Sequence, residues 1–158
     1  MPDDGAAVPA GLNRILADCF VLRAGLQPAT WRLHRGDGAE IERLLQDLIV
    51  FLDEMARSTA VRIRVLGGKP PGGFDELIRL ASCRRPEVGT GSSPAEALSL
   101  EVMAVVRDVH TMAQIARASG DEATAHLLFG RVGFLEEATW RLGALAAADR
   151  RPTSCSGP

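Results

Sequence analysis

The chain has 158 residues, 46% hydrophobic and 24% charged, with a formal net charge of −2 at pH 7. That length suits one domain with a sizeable core, and the composition excludes a disordered or collagen-like chain. A slightly negative balance argues against nucleic-acid binding through bulk positive charge.

The N-terminal stretch MPDDGAAVPAG is acidic and lacks the apolar region of a signal peptide, and no apolar run approaches membrane-spanning length. A cytoplasmic protein without membrane contact is therefore expected. Residues 1–10 and 149–158 read as flexible tails around a single domain, with a helical core over about 12–147.

The first helix is expected from Leu12, where Leu12, Ile15, Leu16, Cys19, Phe20, Leu26 and Leu33 recur at helical spacing, with Pro28 as a tolerated late kink. A second helix should begin at the capping pair Asp37 and Glu40. Its stripe runs Ile41, Leu44, Leu45, Leu48, Leu52, Met55, Thr59, Ile63 and Leu66, until Gly67 and Gly68 end it. GGFDELIRLAS carries a short helical patch with Phe74, Leu77, Ile78 and Ala81, followed by the loop CRRPEVGTGSSP.

Ser93, Pro94 and Glu96 mark a strong helix start, with Ser93 as cap and Pro94 in the first position. The third long stripe is Leu98, Val102, Val105, Val106, Val109, Met112, Ala113 and Ala116. After Ser119 and Gly120, Asp121 recaps, and Leu127, Leu128, Val132, Leu135, Ala138, Leu142 and Leu145 make the fourth. Two pairs of long helices joined by a connection that holds a short extra helix predict an all-α four-helix bundle.

Three stretches carry a family resemblance: LADCFVLRAGLQPATWRL, AVRIRVLGGKP and GDEATAHLLFGRVGFLEEATWRLGAL. The chain resembles the Dps family (DNA-binding proteins from starved cells) of the ferritin-like superfamily over about Leu12 to Ala147. The spacing from Trp31 to Gly68 fits without a gap. The resemblance implies a closed shell, twelve subunits in number, that oxidises and stores iron and protects DNA under oxidative stress. It also implies an iron centre between two subunits, built from two histidines of one and an aspartate and a glutamate of the other. Imidazole and carboxylate ligands suit iron in both oxidation states.

Carried over by position, those four places are Thr30, Glu42, Arg57 and Val61. Only Glu42 retains a metal-binding side chain, and Arg57 puts a fixed positive charge where a cation should sit. Two readings therefore stand. One is an iron-sequestering subunit with a degraded or rearranged ferroxidase centre, bound to iron weakly or assembled with an active paralogue. The other is a non-catalytic scaffold that protects DNA without ferroxidase activity of its own.

Asp121, Glu122 and His126 fall where the resemblance implies a pore for iron, although a plain N-cap is the stronger reading of Asp121. His34 and Asp37 read as turn and cap residues, and Asp53 and Glu54 as a solvated face. His110 reads as a partly buried histidine, Trp31 and Trp140 as packing residues, and Glu136 and Glu137 as surface or interface charges. Cys19 reads as a small core residue, and Cys155 as a tail thiol. An N-terminus with Asp3, Asp4 and no lysine predicts weak or absent DNA binding.

Overall fold

The computed structural model describes residues 4–32, 39–83 and 93–149. Among the described residues five helices make up the fold: α1 (Asp4–Arg32), α2 (Ala39–Val65), α3 (Phe74–Leu80), α4 (Pro94–Ala118) and α5 (Glu122–Asp149). No strand occurs among the described residues. The long helices form two pairs, α1 with α2 and α4 with α5; α1 also packs on α4, and α2 touches α5. The short α3 lies against α1, within the connection between the two pairs. This is a four-helix bundle with one extra helix.

Why these segments become helices follows from where their apolar residues fall. On α2, Ile41, Leu44, Leu45, Leu48, Leu52, Met55, Thr59 and Ile63 are all buried on one side, as the stripe predicts. Leu98, Val102, Val105, Val109 and Met112 of α4 meet Leu128, Val132, Leu135 and Leu142 of α5 in the same core. Each fully buried leucine there contributes about 1.5–3 kcal/mol relative to an exposed one.

Helix ends follow the local chemistry. The Ser93 hydroxyl accepts from the Glu96 amide at 3.2 Å, capping α4 with Pro94 at its first position. At the end of α2, Gly67 adopts φ 77°, and the Gly67 and Gly68 amides donate back to the carbonyls of Arg64 and Ile63. Gly120 repeats the device after α4 with φ 82°, the Asp121 amide reaching the Ala116 carbonyl at 2.8 Å.

The first helix starts at Asp4, not Leu12, so residues 4–10 are helix rather than tail. Val8 extends the buried stripe one turn ahead of Leu12 and is only 5% exposed. A Cβ built on Gly68 would lie 3.2 Å from the Pro9 side chain, so the start of α1 leans on the turn that closes α2. Burial of Val8 and that contact outweigh the backbone bond that Pro9 cannot make near the free end of the helix. At the other end, α5 runs to Asp149. Residues 150–158, with Cys155, lie outside the described residues, as do His34 and Asp37.

A link invisible as a sequence pattern joins α1 to the segment after α3. Asp18 is fully buried, and its carboxylate accepts from the Ser82 amide and hydroxyl at 2.6 Å each and from the Cys83 amide at 2.8 Å. Three donors satisfy a charge that burial alone would penalise heavily.

Candidate functional site

Thr30 and Glu42 share a surface cleft of about 370 Å³ between the end of α1 and the start of α2. Gln27, Trp31, Gln46, Ile49 and Val50 complete its walls. The Thr30 hydroxyl is turned onto its own helix, donating to the Gln27 carbonyl at 2.7 Å. The Glu42 carboxylate is exposed and accepts from the Gln46 amide at 3.3 Å. The Trp31 indole is 75% exposed at the rim.

Arg57 and Val61 lie farther along the outward side of α2. The 15 residues between Glu42 and Arg57 amount to roughly 22 Å at about 1.5 Å per residue. Arg57 donates to both carboxylate oxygens of Glu54, at 2.8 and 3.1 Å, one turn back on its own helix. Val61 is exposed beside it. One chain thus brings Thr30 and Glu42 together and keeps Arg57 and Val61 apart from them.

These side chains do not fit a two-iron centre. Thr30 spends its hydroxyl proton on a backbone carbonyl, Val61 has no donor atom, and the Arg57 guanidinium repels a cation. Glu42 is the one metal-binding side chain among the described residues that line the cleft. Among the described residues, no group of three or more His, Cys, Asp or Glu comes together within the chain.

Asp121 is used elsewhere. Its carboxylate accepts from the Thr124 amide at 3.0 Å and from the Thr124 hydroxyl, and it pairs with Arg62 of α2 at 2.6 Å. Partial burial alone would raise its carboxyl pKa. The Thr124 bonds and the Arg62 charge override that and hold it below the usual carboxylate value. Glu122 and His126 are exposed on the first turns of α5, with Glu122 3.7 Å from Arg117.

Other sequence candidates resolve as follows. Asp53 pairs with Arg23 and Glu54 with Arg57, so both acids belong to a solvated, ion-paired face. His110 is exposed rather than partly buried, its ring edge-on to Phe129 at 5.6 Å, because it sits one residue past the buried Val109. Glu137 lies 3.9 Å from Arg141, which also approaches Glu40 at 3.8 Å. Glu136 borders a second, apolar groove of about 640 Å³ with Met103, Val106 and Trp140.

Neither tryptophan packs inside the chain, Trp140 being 72% exposed. Cys19 is buried, and burial, with the Asp18 charge second, pushes its thiol up to about 12. Cys83 is also buried and its thiol is raised for the same reasons. Sequence reading missed Asp18 and the Arg62–Asp121 pair, whose partners lie about 60 residues away along the chain.

No family model matches the chain. It is 30% identical over 146 residues, 89% of both chains, to the DNA protection during starvation protein of Porphyromonas gingivalis. Among solved structures it is similar to Dps from Thermosynechococcus elongatus, with TM-score 0.81, 18% identity and 96% of each chain covered. It is also similar to the Dps protein of Vibrio cholerae O1, described as a member of a broad superfamily of ferritin-like diiron-carboxylate proteins. That match has TM-score 0.80, 20% identity and 89% of each chain covered. The bundle with its extra helix therefore has the fold of these ferritin-like proteins. Among proteins of that fold, the chain belongs to the Dps family.

Proposed function

We propose that this chain is a subunit of a closed, twelve-membered Dps-type shell that sequesters iron and protects against oxidative stress, with a degraded ferroxidase centre. One observation carries the loss of the centre. Arg57 occupies a ligand position that the family resemblance assigns to an aspartate, and its guanidinium pairs with Glu54. Exposed Trp31, Val50 and Val61 on one side of the chain and Leu100, Met103 and Trp140 elsewhere support assembly, since apolar surface of this kind marks contacts between proteins.

Iron in this reading is cargo. The acidic groups Glu122 and, with a helix cap already claiming it, Asp121 would serve a pore together with His126 only as copies from neighbouring subunits converge. A second reading, a non-catalytic scaffold that shields DNA, rests on the same Arg57. DNA binding by it would be weak, given Asp3, Asp4 and the net charge of −2. No helix among the described residues is long and apolar enough to cross a membrane, and a cytoplasmic location fits both readings.

Gel filtration after aerobic addition of ferrous iron tests the choice. Iron that co-elutes with a protein particle far larger than one 16.8 kDa chain supports sequestration. Iron lost entirely as precipitate, with the particle intact, supports the scaffold.

A further inference from the structure

We infer that the α1–α2 cleft is a receptor for the Arg57 guanidinium of a second copy of this chain, with Glu42 as its counter-charge. The inference rests on the assembly reading above and names the partner of that same site.

The lining suits a guanidinium. Glu42 is the only charged side chain among the described residues that line the cleft, and its carboxylate matches the forked donors of arginine. Gln27 and Gln46 add amide groups, and the exposed face of Trp31 is a surface on which a guanidinium stacks.

The other half of the pair is presented on the same chain. Arg57 is 70% exposed, between exposed Val50 and Val61 on one outward stripe of α2 at spacings of seven and four residues. Its present partner, Glu54, forms an exposed pair one turn away, a contact worth little and easily shared or exchanged.

Symmetry then fixes the register. In a two-fold contact, residue i of one copy meets residue j of the other, and j meets i. If α2 packs antiparallel on its own copy with Glu42 against Arg57, the axis crosses at Ile49 and Val50, midway between them. By that register Val50, 69% exposed and uncharged, falls opposite Ile49 of the other copy, so apolar side chains rather than like charges meet at the axis. The same register sets Gln46 opposite Asp53, and the two bridges stand roughly 22 Å apart at about 1.5 Å per residue. The Glu42–Arg57 pair thus forms twice in one contact.

Charge reversal tests this on the full chain. Sedimentation velocity over a concentration series compares the native protein with Glu42→Arg, Arg57→Glu and the combined exchange. Both substituted positions are exposed, and far-UV circular dichroism checks that the variants remain helical. Each single reversal should weaken association at least tenfold, and the exchange should recover most of it. With Trp140→Phe in the background, Trp31 emission should shift to the blue on association, and the shift should be lost in Arg57→Gln. Native-like assembly of both single reversals overturns the inference while leaving the shell intact, as does an exchange variant no better than the worse single. A native chain that stays monomeric throughout overturns both this inference and the shell.

Discussion

Arg62 of α2 meets Asp121, the residue that caps α5, at 2.6 Å, while its Nε donates to the Thr124 hydroxyl at 2.7 Å. One guanidinium thereby ties the close of one helix to the opening of another, and Gly120 supplies the turn that aims the cap. Asp121→Ala removes both the cap and the counter-charge and should cost about 2–4 kcal/mol in urea unfolding, whereas Asp121→Asn keeps capping and should cost less. The carboxyl pKa is depressed in the fold, so its stabilising contribution is complete above the ordinary carboxylate value of about 3.9 and is lost as pH falls below it. Asp121→Asn should accordingly flatten the acid limb of the stability profile.

The glycines separate into two kinds. Gly120 holds φ 82°, and Gly120→Ala should lower stability by about 1–2 kcal/mol. Gly130 lies inside α5 with open space where a Cβ would sit, so Gly130→Ala should raise stability by about 0.5–1 kcal/mol. Thermal unfolding midpoints moving in the same direction would contradict this division.

Cys19 and Cys83 should resist a thiol reagent at pH 8 in the native chain and react once denaturant is added, as read by peptide mapping. Burial raises the Cys19 thiol to about 12. A raised thiol pKa means that stability is full below the ordinary value of about 8.5 and declines as pH rises through the folded value. The same sign holds for Cys83.

Restoring the ligand types that the family resemblance implies should restore chemistry. The fourfold change Thr30→His, Glu42→His, Arg57→Asp and Val61→Glu should oxidise ferrous iron faster than the native chain. Arg57→Asp alone should not suffice, because Thr30 and Val61 still offer no ligand.

Much of the fold was legible because its signals are local. Ser93, Pro94 and Glu96 predict the start of α4, and the spacing from Ile41 to Ile63 predicts the buried side of α2. The start of α1 was not legible, because Val8 lies among alanines beside a proline and its burial depends on packing against the remote Gly68 turn. Asp18 was hidden for the same reason. Nothing within LADCF announces a carboxylate waiting for amides 64 and 65 residues later. At the candidate site, the family resemblance carried over by position exposed the substitutions, but the Arg57–Glu54 fork and the cleft around Glu42 needed three dimensions.

Ferrous oxidation by the purified chain reads out whether a working ferroxidase centre is absent. Ferrous iron is added aerobically, and the initial rise of ferric absorbance is compared with protein-free buffer. Equal initial rates are expected, since Glu42 alone cannot hold a two-iron centre. A rate clearly above buffer that disappears in Glu42→Ala would contradict that expectation.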